Sequence, residues 1–132
     1  MTYSEIKDIR QPEHEINELL LKRWSPRALN GQTLADEDLL AVLEAAKWAP
    51  SAFNSQPWRF IYAKPKTAAW DKLFLPLGDF NKAWVKNAGA LILIISKQKF
   101  THNQKDNPTA SFDTGAAWQN LALLNRSRYE WL

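Results

Sequence analysis

Thr33-Leu-Ala-Asp-Glu-Asp-Leu-Leu-Ala-Val-Leu-Glu-Ala-Ala-Lys-Trp-Ala-Pro50, continued by Ser51-Ala-Phe-Asn-Ser-Gln-Pro-Trp58-Arg-Phe-Ile-Tyr62, reads as a helix, a pinned loop and a strand in succession. Leu39, Val42, Leu43 and Ala46 recur at the spacing of helical turns, so they form one apolar stripe. Thr33-x-x-Asp36 has the pattern of a capping box, and it places acidic residues at the positive end of the helix. Pro50 ends that helix near Trp48, because the residue before a proline is pushed away from helical geometry. Pro50 and Pro57 then bracket a polar loop, and the aromatic and β-branched run Trp58 to Tyr62 predicts a strand.

Towards the N-terminus, Glu13 to Trp24 predicts a helix with Ile16, Leu19, Leu20 and Arg23 on one face. Ser25-Pro26 closes it, and Asn30-Gly31 signals a turn. Towards the C-terminus, a short helix is expected over Thr67 to Leu75, a loop over Pro76 to Phe80 and a helical turn over Asn81 to Asn87. Ala90 to Ile95 is continuously apolar, the pattern of a central strand covered on both faces. Phe100 to Pro108 reads as a polar loop. Thr109 to Arg128 then predicts a long helix, whose small residues Gly115, Ala116 and Ala117 would let a backbone or a flat ring come close. No internal repeat or low-complexity segment interrupts this order of helix, helix, strand, helix, strand, helix. Two strands are marginal as a sheet by themselves.

A length of 132 residues suits one domain, and 45% hydrophobic residues suffice for a core. Seven tryptophans in so short a chain must line a core, a pocket or a partner surface. Cysteine is absent, which excludes disulfides, thiolate metal sites and thiol nucleophiles, and suits a reducing compartment. The net charge of +3 is dispersed, and the densest basic cluster, Arg126 to Arg128, holds two arginines. That argues against a nucleic-acid stripe. Met1 to Gln11 lacks the pattern of a secretory signal, and Ala88 to Ile95 is too short to cross a bilayer. A soluble, cytoplasmic protein is the expectation.

The usual catalytic sets are missing. His14 and His102 are far apart and lack carboxylates at metal-ligand spacing, so no metal site is expected. There is no G-x-S-x-G elbow, and glycines at 31, 78, 89 and 115 allow neither G-x-G-x-x-G nor a P-loop. Such a chain borrows a cofactor or does no chemistry. Two segments favour the first. Arg23-Trp-Ser-Pro-Arg27 can turn two guanidinium forks and a hydroxyl to one space if Ser25 is extended, which suits a phosphate or an electron-rich ring edge. Cations at a solvated helix end would read the same way. Pro50-Ser-Ala-Phe-Asn-Ser-Gln-Pro-Trp58 fixes several donors and acceptors, as a heteroaromatic ligand requires, although an ordinary Ser/Asn/Pro turn has similar composition.

Taken in order, these segments resemble the nitroreductase family: Arg23-x-Ser-x-Arg27, the helix ending Leu43-Glu-Ala-Ala-Lys-Trp-Ala-Pro50, and Ser51-Ala-Phe-Asn54-Ser-Gln56-Pro57-Trp58-Arg-Phe60. Phe80-Asn81-Lys-Ala-Trp84 is similar to the family's middle segment, and Phe112-Asp-Thr-Gly115-Ala-Ala-Trp-Gln119-Asn120-Leu to its long central helix. The resemblance runs from Glu13 to Leu124. It implies an α+β fold, a small central sheet flanked by helices, in a single domain over 1–132. It also implies a homodimer with FMN at the interface, cycling between NAD(P)H and a nitroaromatic, quinone or similar acceptor. By the same resemblance Arg23, Ser25 and Arg27 contact the flavin's pyrimidine edge, ribityl chain and phosphate. Pro50, Ser51, Asn54 and Gln56 reach it from the partner subunit, and Asn81 touches the ring. No side-chain acid or base is required, because the cofactor makes and breaks the bonds.

After Leu124 the sequence Asn125-Arg-Ser-Arg-Tyr-Glu-Trp-Leu132 departs from the family's continuation. The family would supply further strands and part of the phosphate site there. The sheet is therefore expected to be incomplete, with an open edge beside Ala90 to Ile95 and weakened FMN binding. A non-catalytic family remnant or interaction module is the alternative to an active oxidoreductase.

Overall fold

Leu39, Val42 and Ala46 lie on the inward side of a helix as their spacing demands, and all three are buried. In this computed structural model, which describes residues 9–128 and side chains as far as Leu124, the elements run in the expected order. They are α1 (Glu18–Lys22), α2 (Asp36–Lys47), a 3-10 turn (Ala52–Asn54), β1 (Trp58–Ala63), α3 (Ala68–Phe74), α4 (Asp79–Val85), β2 (Leu91–Ser96) and α5 (Ala110–Arg128). The fold is α+β. Residues 1–8 and 129–132, including half of the atypical tail, lie outside the described residues, as do the side chains of Arg126 and Arg128.

β1 and β2 pair antiparallel with Trp58 opposite Ser96, Phe60 opposite Ile94 and Tyr62 opposite Ile92. Opposed residues in such a pair share a face. The face carrying Trp58, Phe60 and Ile92 packs on α2 and α5, making one core with Val42, Ala46, Ala49, Ala117 and Leu121. Ala46 and Ala117 are wholly buried, which lets α2 and α5 approach closely. The small-residue run of α5 thus serves helix packing at Ala116 and Ala117. Gly115 faces open space, since a side chain there would meet nothing within 4 Å.

Three expectations are corrected. The N-terminal helix is five residues long rather than spanning Glu13 to Trp24. It starts late because the Asn17 side chain accepts from the Leu19 amide as its cap, and it ends where Arg23 turns extended. Ile16, Leu19 and Leu20 consequently stay exposed. Thr33 does not cap α2. The Leu34 amide donates to the Gly89 carbonyl at 3.2 Å, which holds the chain extended past Thr33, and Ala35 occupies the cap position. Asp36, Glu37 and Asp38 still fill the first turn, and Asp36 pairs with Lys64. Finally, β2 is not covered on both faces. Leu93 and Ile95 are exposed beside Ile61, because helices cover mainly the opposite side of this two-stranded sheet.

Gly31 takes φ +77° at the expected turn and donates its amide to the Asn87 carbonyl at 3.1 Å. Space is open around it, so only the backbone conformation resists a side chain. Gly31→Ala is therefore expected to cost about 1 kcal/mol, read as a lower midpoint in urea unfolding. An unchanged midpoint would show that this turn relaxes freely.

Candidate functional site

The singled-out residues fall into two groups on different elements. The first follows α1. Arg23 is half-buried and its Nη1 donates to Ser25 Oγ at 3.5 Å, so these two side chains do meet. The backbone beneath is anchored by Arg10, whose Nη1 donates to the Leu21 and Arg23 carbonyls at 3.0 and 2.5 Å. Arg27 is exposed and lies over the Phe80 ring on α4, with Cζ 5.1 Å from the centroid. Asn81, the next residue of α4, is exposed as well. Phe80 thus ties the arginine segment to the place of Asn81. Neither Arg23 nor Arg27 forms an ion pair with another described residue, which leaves both cations available to an anion.

The second group is the loop between α2 and β1. Ser51 Oγ accepts from the Gln56 amide at 3.0 Å, and the Ser51 carbonyl accepts from the Asn54 amide at 3.0 Å. Gln56 Nε2 donates to Asn54 Oδ1 at 2.9 Å, aligning the two side-chain amides. Phe53, Asn54 and Gln56 all have left-handed backbones, with φ of 53°, 49° and 45°. Each costs a non-glycine residue on the order of 1–3 kcal/mol, and such strain persists only where the surroundings over-determine it. Asn54 and Gln56 border an open pocket of about 260 Å³ shared with Lys47, Trp48 and Ala49. Pro50 marks the exposed entrance to this bend. Phe53 stands 88% exposed, edge-on to Phe100 at 5.9 Å.

The restraint comes from Asp113 on α5 and Asn107 just before it, neither of them among the expected site residues. Asp113 Oδ2 accepts from the Ala52 amide at 3.1 Å and from Thr109 Oγ1 at 3.0 Å. Asn107 Nδ2 donates to Ser55 Oγ at 3.3 Å. Asp113 is 6% exposed and Asn107 3%. Asp113 shares the inward stripe of α5 with Ala110, Ala117 and Leu121. An acid inside an apolar stripe was the signal available in the sequence, since a buried carboxylate needs donors.

This site can present amides, hydroxyls and two guanidinium forks to a flat polar ligand. None of the expected site residues is an acid, and Lys47 at the pocket is paired with Glu44 at 3.4 Å. Seen alongside known proteins, the geometry has close parallels. A model of the nitroreductase family matches residues 20–128. The major NAD(P)H-flavin oxidoreductase of Aliivibrio fischeri is 29% identical over 80% of this chain, which spans 45% of that protein. A solved oxidoreductase containing FMN is 44% identical over 89% of the chain, with a TM-score of 0.84. A candidate nitroreductase of Desulfovibrio desulfuricans, solved in complex with FMN, is 27% identical over 83% of the chain, with a TM-score of 0.69. The chain spans 61% of each of those two solved chains. Since the family match runs from within α1 to the end of α5 and takes in every element of the two groups, this chain belongs to the nitroreductase family.

Proposed function

We propose that this chain is a subunit of an FMN-dependent oxidoreductase that passes hydride from NAD(P)H to a nitroaromatic, quinone or similar acceptor. The observation that carries the reading is the bend Ser51 to Gln56, where three left-handed residues hold a pair of side-chain amides at an open pocket. Strain of this kind, kept at a polar surface loop, goes with ligand binding. The residues also fit the ligand's chemistry. Arg23 and Arg27 lack acidic partners among the described residues, as suits a phosphate and the electron-rich pyrimidine edge. The FMN named for two solved relatives supports the same choice.

When bound, FMN would supply the ring that accepts a hydride and passes it on. This chain's residues bind and orient. Arg23 and Arg27 offset negative charge, Ser25 hydrogen-bonds beside Arg23, and Asn54, Gln56 and Asn81 offer amides to ring heteroatoms. Pro50 and Ser51 set the bend from which Asn54 and Gln56 project. Because the arginines and the bend are separate groups within one chain, we assign each flavin to a homodimer interface, with the bend contributed by the partner. Exposed Leu40, Trp48 and Trp118 are suited to being covered by that second copy. The single domain over 1–132 and a cytoplasmic location go with this reading; no described helix is long and apolar enough to cross a membrane.

Purified protein is expected to quench FMN fluorescence on titration, to run as a dimer, and to lose its yellow colour when NADH or NADPH is added without oxygen. Protein that neither quenches nor bleaches would instead favour a flavin-free interaction module, the reading that the uncovered face at Ile61, Leu93 and Ile95 supports.

A further inference from the structure

We propose that Asp113 is a positioning residue for the ligand bend, holding the Ala52 amide so that Phe53, Asn54 and Gln56 keep their left-handed backbones. The inference rests on the flavin reading only for what the bend presents, not for the clamp itself. The bend's internal hydrogen bonds, from Gln56 to Ser51 and to Asn54, close the loop on itself but do not fix it to the core. Asp113 does. Its carboxylate is buried on the first turn of α5, within the helix that carries Ala117 and Leu121 into the core. Thr109 Oγ1 sits 3.0 Å from the same oxygen that receives the Ala52 amide and shares its one hydroxyl hydrogen between that oxygen and Asn107 Oδ1 at 2.9 Å. Asn107 adds a second tie through Ser55. The rigidity of α5 is thereby conveyed to a loop that would otherwise relax out of a strained shape.

Hydrogen–deuterium exchange and FMN titration test this together. In Asp113→Ala, the Ala52 and Gln56 amides should exchange roughly tenfold faster or more, the effect of losing about one hydrogen bond, while Val42 and Ala46 in α2 keep their protection. FMN affinity should fall by a similar factor. Asp113→Asn should stay near the parent, since its amide oxygen still accepts from Ala52. Ala52→Pro removes the same bond from the other side. It suits the backbone, because Ser51 already has the extended conformation (φ −152°, ψ 150°) that precedes proline. Ala52→Pro combined with Asp113→Ala should be no worse than either alone.

Parent-like exchange at Ala52 and Gln56 in Asp113→Ala overturns the proposal. So does protection lost equally across α2, or an Asp113→Asn variant as loose as the alanine one. If Asp113→Ala does not fold, Ala52→Pro decides by exchange at the Gln56 amide and by FMN affinity, since residue 52 then carries no amide hydrogen. A loosened bend with unchanged FMN affinity removes the link to the ligand. If the parent itself binds no FMN, the flavin reading fails and the exchange data still judge the clamp.

Discussion

Replacing Arg23 and Arg27 together with alanine is expected to weaken FMN binding by about 100-fold or more while leaving the fold intact. A hydrogen bond to a charged group contributes on the order of 1.5–3 kcal/mol, and two of them at a partly solvated site correspond to at least about two decades in affinity. The cost to the apo protein is small. Arg27 makes one exposed contact over Phe80, and Arg23 one long hydrogen bond to Ser25. The backbone tie from Arg10 runs to carbonyls and survives both substitutions. The double lysine variant separates charge from shape. Lysine keeps the cation but loses the planar fork, so it should recover only part of the affinity. Fluorescence titration gives the result directly. An alanine pair that binds FMN within about threefold of the parent would end the assignment of this segment to the flavin, since less than 1 kcal/mol would then separate them.

Trp58→Ala should produce the largest loss of stability, about 3–5 kcal/mol. Trp58 is the first residue of β1, directly after Pro57, and it packs with Val42, Ala46, Ala49, Ala117 and Leu121. Truncation removes the side chain that joins sheet, α2 and α5, and adjacent alanines cannot grow into the space. Domains of this kind have about 5–15 kcal/mol in all, so the variant should unfold at much lower urea concentration or fail to accumulate. Trp48→Ala is the contrast. Trp48 is 74% exposed, so its loss should leave monomer unfolding nearly unchanged and act on dimerisation instead. A Trp58→Ala midpoint close to that of the parent would show that the core is not centred where the structure puts it.

How far the sequence was legible depends on the range of the forces involved. The α2 stripe, the loop pinned by Pro50 and Pro57, β1 and the long α5 depend on spacing and local sterics, and each appeared within a residue or three of its expected limits. The capping box at Thr33 failed because the chain, tied at Leu34 to the distant Gly89 carbonyl, stays extended through Ala35, so the helix starts at Asp36. The helix over Glu13 to Trp24 shortened because an Asn17 cap and an uncovered apolar stripe could not sustain more turns. Continuous hydrophobicity in β2 indicated two covered faces, yet what covers a strand is a property of its neighbours.

The candidate site divides along the same line. Residue order alone placed Arg23, Ser25, Arg27, the Pro50 to Gln56 bend and Asn81 in a pattern resembling one family, because local chemistry is written in adjacent residues. It could not show that Arg27 leans on Phe80 beside Asn81, nor that Asp113, 61 residues further on, holds the Ala52 amide. Helix periods, proline stops and polar bends were determined by the sequence by itself, through interactions within a few residues. Which strained bend is held, and by which buried carboxylate, was decided only when the packing of α2 against α5 brought distant backbone and side chain within hydrogen-bonding distance.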